Sequence, residues 1–132
     1  MTLDDFKADL RNWKFSSYKA INFSIGISAL LIYELIGRPF YRPYIYANNI
    51  NDFHIADTLG NTFGTLTTIF FLVAILSNDP SKGNYLIKLG TFSVVVFELA
   101  HPLLGKPIDI WDIGATILTG MFSYLIYNLI FR

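Results

Sequence analysis

Glu98 and His101 stand one helical turn apart, and a carboxylate beside an imidazole is a pair able to take up or release a proton near neutral pH. Two further polar sets recur at helical spacing. Asp57, Asn61 and Gly64 fall at i, i+4 and i+7, and Asp112, Thr116 and Gly120 at i, i+4 and i+8, so each set forms one stripe on its helix. Glu34, Arg38, Lys106 and Asp109 are the remaining charged residues near these stripes. Such a set is suited to holding a polar head group: Arg38 and Lys106 would meet anionic groups, Asn61 and Thr116 would hydrogen-bond, and the acids would fix the basic side chains or take amino or sugar groups. It is also suited to acid-base work, because clustered carboxylates push one proton affinity upward. No GxGxxG, P-loop, HExxH or GxSxG motif is present, and the chain has no cysteine. Glu98, His101, Asp109 and Asp112 lack metal-ligand spacing, and neither a metal nor a cofactor is expected.

The elements that must carry these residues are apolar. Of 132 residues, 53% are hydrophobic and 15% charged, with a mean hydropathy of +0.45, which points to a membrane protein. Ten basic residues balance ten acidic ones, so no positive field exists to attract nucleic acid. Four stretches, Tyr18 to Gly37, Ile55 to Ser77, Tyr85 to Leu104 and Ile108 to Phe131, each reach the ~20 residues that cross a hydrocarbon core of ~30 Å. The expected fold is an all-α membrane protein of four transmembrane helices. The first apolar run leads into Tyr33, Glu34, Gly37 and Arg38 instead of a small-residue cleavage site, so it reads as a retained span.

Lys7, Arg11, Lys14, Lys19, Lys82, Lys88 and Arg132 fall on one side of this arrangement and Arg38, Arg42 and Lys106 on the other. Seven against three places both termini in the cytoplasm. Residues 1–16 form a cytoplasmic segment in which Phe6, Leu10 and Trp13 recur at helical spacing, predicting a short amphipathic helix at the membrane surface, and 17–132 form the transmembrane domain. Between the first two spans, Arg38 to His54 holds Pro39 and Pro43 among five aromatics, which predicts an irregular loop in the outer headgroup layer. Asn78 to Asn84 reads as a turn.

The halves, about 17–77 and 85–132, resemble each other. Tyr33-Glu34-Leu35, Gly37-Arg38-Pro39 and Asp57…Asn61 recur in order as Phe97-Glu98-Leu99, Gly105-Lys106-Pro107 and Asp112…Thr116. Both halves begin on the cytoplasmic side, so they would be parallel helix-pair repeats about an axis along the membrane normal, with Glu34 facing Glu98. Gly60, Gly64 and Gly120 read as close-packing positions.

The run Glu98, His101, Gly105, Lys106, Pro107, Asp109, Asp112 and Thr116 resembles the signature of VanZ-like membrane proteins, which joins a Glu-x-x-Gln segment to an Arg-x-x-Asp-x-x-Asp-x-x-x-Asn segment. The stretch from Asp57 to Gly64 looks like the Asp-x-x-x-Asn-Thr-x-Gly stretch of that family. His101 replaces the favoured Gln, Lys106 falls close to the usual Arg, and Thr116 replaces Asn. The resemblance implies a small multispanning bacterial envelope protein, in some members linked to resistance to glycopeptide antibiotics.

Three functions fit these residues. The first is a non-enzymatic protein whose outward site of Glu34, Arg38, Asp57, Asn61, Glu98, His101, Lys106, Asp109, Asp112 and Thr116 binds an envelope lipid or lipid-linked precursor. The second is a membrane enzyme using carboxylate and histidine acid-base chemistry. The third is an oligomeric pore, transporter or effector, for which a second copy or another membrane protein would be the partner; a scaffold in which the polar cluster serves packing alone is the remaining alternative.

Overall fold

The computed structural model describes residues Met1–Arg132 and is all-helical. Its elements are α1 (Leu3–Arg11), α2 (Ser17–Ile32), which runs through a π-helical stretch (Tyr33–Tyr41) into α3 (Arg42–Ala47), then α4 (Ile55–Leu76), α5 (Gly83–Leu99) and α6 (Ile110–Phe131), with single 3-10 turns at Pro80–Lys82 and His101–Leu104. Three helices are long and apolar enough to cross a membrane: Ser17–Ala47, Ile55–Leu76 and Ile110–Phe131. The expected bounds of the second and last spans agree with α4 and α6 to within two residues.

The loop expected from Arg38 to His54 is largely helical. Proline lacks an N–H and its ring clashes with the carbonyl one turn back, which ordinarily ends a helix. Here the backbone widens instead: the N–H of Arg42 reaches the carbonyl of Gly37, five residues back, and Pro39 sits inside the widened turns. Pro43 follows at the second position of α3. The resulting 31-residue helix is ~46 Å long at ~1.5 Å per residue, longer than a hydrocarbon core, so one end must stand clear of it. Only Asn48–His54 remains as connection.

α5 is shorter than the stretch from Tyr85 to Leu104. Pro102 stops it, a 3-10 turn follows, and Gly105 closes that turn with φ +74°, a left-handed conformation that glycine adopts without steric cost.

α4 is the central helix and packs on α2, α5 and α6; α5 also packs on α6. Directions follow from named contacts. The Thr67 hydroxyl donates to the Gly26 carbonyl, Asn84 exchanges amide hydrogen bonds with Asn128, and Asn61 donates to Thr116. Hence α2 and α5 run opposite to α4, and α6 runs parallel to it. The tightest packing lies at the end bearing the chain termini, where Tyr18, Ile69, Phe70, Val73, Leu86, Ile87 and Tyr127 form one buried cluster. The Tyr127 hydroxyl donates to the Pro80 carbonyl at 2.7 Å and lies 2.8 Å from the Tyr18 hydroxyl, tying α2, α6 and the Pro80 turn together. That turn is capped by Asp79, whose carboxyl accepts the Ser81 N–H and is held below the usual carboxylate range by it.

α1 forms as expected, its first turn closed by a reciprocal cap between Thr2 and Asp5. It does not merely lie on a surface. Asp9 meets Lys82 at 2.6 Å, Asn78 donates to the Asp9 carbonyl, and Phe6 packs on Tyr85. Trp13, just past the helix, lies over Lys19, whose Nζ is 4.5 Å from the ring centre, and Lys19 is fully buried with no hydrogen-bond partner.

Candidate functional site

At the opposite end of the bundle the polar stripes of α4 and α6 meet. Asn61 sits one turn after Asp57, on the side of α4 turned to α6. Its amide nitrogen donates to the Asp112 carbonyl at 2.7 Å and to the Thr116 hydroxyl at 3.0 Å. Thr116 is fully buried and Asp112 half-buried.

Glu98 lies in the last turn of α5, where its side chain is 6% exposed. His101 is held beside it because Pro102 forces the tight turn that follows, and His101 Nδ1 is 3.2 Å from Glu98 Oε2. That approach lies off the hydrogen-bond line, and Glu98 Oε2 is buried with no donor. Phe97 meets His101 edge-on, covering one side of the ring.

Glu98 lines a cleft of about 380 Å³ between α4 and α5. Asn61, Gly64, Thr65 and Thr68 form one wall and Ser93, Val94, Phe97 and Glu98 the other. These positions recur at i, i+3, i+4 and i+7 on α4 and at i, i+1, i+4 and i+5 on α5, so each wall is one helix face. Thr65 is buried and its hydroxyl has no partner, a second unmet polar atom on the same cleft. A side chain at Gly64 would meet nothing within 4 Å, so the missing Cβ opens the cleft. This corrects the close-packing role expected there. Gly60 and Gly120 do pack closely, against Tyr33 and Thr91. The groove between α5 and α6, about 520 Å³, is by contrast almost wholly apolar and suits acyl chains.

Asp57 belongs to a neighbouring set. It accepts from the Tyr46 hydroxyl at 2.6 Å and lies 3.1 Å from His54 Nδ1, while Arg42 donates to the hydroxyls of Tyr33 and Tyr46. His54 also stacks on Trp111, with ring centres 4.3 Å apart and planes at 18°. Phe53 and His54 reach this position with φ of 57° and 65°, left-handed values that cost non-glycine residues roughly 1–3 kcal/mol each. Trp111, on which His54 stacks, directly precedes Asp112 on α6, so the two sets adjoin.

The ten expected site residues therefore divide. Asn61, Glu98, His101, Asp112 and Thr116 converge, and Asp57 joins them through the His54 set. Glu34 pairs with Arg38 at 3.3 Å on an exposed face, a surface pair worth at most a few tenths of a kcal/mol. Neither touches Glu98. Asp109 caps α6 by accepting the Trp111 N–H, and Lys106 is exposed with no ion pair. No three His, Asp or Glu side chains gather as metal ligands would.

His54, Thr65, Trp111 and Arg42 are site residues that the sequence reading does not single out. His54 precedes Asp57 by three residues, the mirror image of Glu98 and His101, and that spacing was its available signal. No family model, curated protein or solved structure matches the chain, so the likeness to VanZ-like proteins rests on the quoted motifs alone.

Proposed function

We propose that this chain is a four-crossing protein of the bacterial cytoplasmic membrane, VanZ-like in its motifs, whose outward end binds the polar head of an envelope lipid or lipid-linked precursor without catalysing a reaction. The observation that carries the reading is Glu98: a buried side chain with an unmet oxygen on a cleft that also holds the unpartnered hydroxyl of Thr65. A buried carboxyl oxygen left without a donor costs about 1–3 kcal/mol, and a cleft ligand offering donors would remove that cost.

Four crossings are supported by the path of the chain. α4 and α6 run parallel, so α5 returns across the bundle between them. Its 17 residues span ~26 Å, close to the hydrocarbon thickness, and His101–Leu104 extends them. The repeat is supported at one point, because Asn61 and Thr116, the corresponding members of the two stripes, hydrogen-bond to each other as residues beside a two-fold axis would. The likeness fades outward, where Glu34 is exposed and Glu98 buried.

The orientation is directly measurable because the chain has no cysteine. A cysteine at Asn51 should react with a membrane-impermeant maleimide in intact cells, and one at Ser81 only after permeabilisation. The reverse pattern would put the cleft on the cytoplasmic side. Binding is measured by thermal unfolding of the detergent-purified protein against envelope lipids and lipid-linked precursors. A ligand at ~100 times its Kd should stabilise wild type by ~2.7 kcal/mol and stabilise Glu98→Gln and Asp57→Asn far less. Early melting of both variants, with no ligand acting on wild type, would mark the cluster as packing.

A further inference from the structure

The cleft has a chemical bias that selects among polar heads. Its walls supply one carboxylate, an unpartnered threonine hydroxyl, further hydroxyls at Thr68 and Ser93, and the Asn61 amide, with no lysine or arginine among them. The basic residues nearest in sequence, Lys88 and Lys106, are exposed and do not line it. An anionic group entering the cleft would thus meet the Glu98 carboxyl with no lysine or arginine on the walls, the one basic side chain beside it being the His101 imidazole 3.2 Å from Glu98 Oε2. A cation would meet the carboxylate, and one bearing N–H groups could also satisfy Glu98 Oε2 and the Thr65 hydroxyl. Trimethylated nitrogen has the charge but no hydrogen to donate.

Access points to the source. Gly64, Thr68, Ser93 and Phe97 are exposed, so the cleft opens sideways from between α4 and α5, toward the surface that the proposed crossings present to lipid. The almost wholly apolar groove between α5 and α6 runs along the other side of α5. Resting on the binding role proposed above, we infer that the ligand is an amphiphile whose head ends in a primary ammonium group, seated between Glu98 and Thr65.

The test uses the full-length protein, delipidated in detergent, with phosphatidylethanolamine, phosphatidylcholine, phosphatidylglycerol and free ethanolamine as probes, read by native mass spectrometry and thermal unfolding. Phosphatidylethanolamine should bind roughly tenfold tighter than the other two lipids, the effect of hydrogen bonding to a charged group. That preference should vanish in Glu98→Gln. All lipid binding at the cleft should fall in Gly64→Leu, whose Cβ enters open space, with an unliganded unfolding temperature close to that of wild type showing the fold intact. Equal binding of the three lipids to wild type, lost in Gly64→Leu, would overturn the ammonium assignment and leave the lipid site standing. Free ethanolamine acting as strongly as the lipid would overturn the amphiphile. Lipid binding indifferent to both substitutions would overturn the assignment and the binding role together.

Discussion

Gly83→Val should be the most damaging single change in the bundle, lowering the unfolding temperature of the detergent-purified protein by on the order of 10 °C or more. Gly83 is the first residue of α5 and is buried against Tyr127, whose ring and hydroxyl occupy the place a Cβ would take. Any side chain there pushes Tyr127 aside. The displacement breaks the bond to the Pro80 carbonyl and leaves the Tyr18 hydroxyl without its buried partner. Overpacking costs about 1–3 kcal/mol and an unmet buried polar group about 1–3 kcal/mol more. Gly64→Ala supplies the comparison: its Cβ meets open space, so replacing a helical glycine should stabilise by about 0.8–1 kcal/mol. Equal losses at both positions would show that α5 does not seat on Tyr127.

Glu98→Leu should separate stability from function. Replacing a buried, poorly compensated charge with an apolar residue of similar volume stabilises by about 1–4 kcal/mol in favourable cases. The unliganded variant should therefore melt later than wild type while showing no ligand-induced shift. Destabilisation would instead mean that Glu98 is a structural partner of His101, 3.2 Å away. The same comparison distinguishes a site held ready for a ligand from a polar contact that completes a core, because only the former carries an uncompensated cost when empty.

The legible part of this architecture was what periodicity and length control. The continuous apolar runs of α4 and α6 located those helices closely, and the i, i+4 stripes placed Asn61 and Thr116 on faces that do meet. The path beyond Ile36 was not legible, because Pro39 and Pro43 are breakers in an α-helix and the π-helical widening that admits Pro39 has no signature in residue order. α5 ends before its apolar run does, because Leu103 and Leu104 continue a run that Pro102 has already broken. Within the site, Glu98 and His101 were readable from spacing. Thr65 was not, since a threonine in a helix ordinarily satisfies its hydroxyl on its own backbone, and only the packed bundle shows that this one does not. Lys106 and Asp109 lie close to the stripe in sequence, yet the turn at Gly105 carries Lys106 outward and α6 uses Asp109 as its cap.

The cover over Lys19 bears on how the protein enters its membrane. The side chains that Asp9 and Phe6 of α1 meet, Asn78, Lys82 and Tyr85, lie some sixty residues downstream of Lys19. At ~5–20 residues per second a ribosome needs roughly 3–12 s to make them. Throughout that interval Lys19, in the first turn of the first apolar helix, lacks the neighbours that seat α1 and Trp13 over it in the folded bundle. Once the α4–α5 turn emerges, Asp9 can find Lys82, Trp13 can be held over Lys19, and a side chain exposed during synthesis passes into the interior.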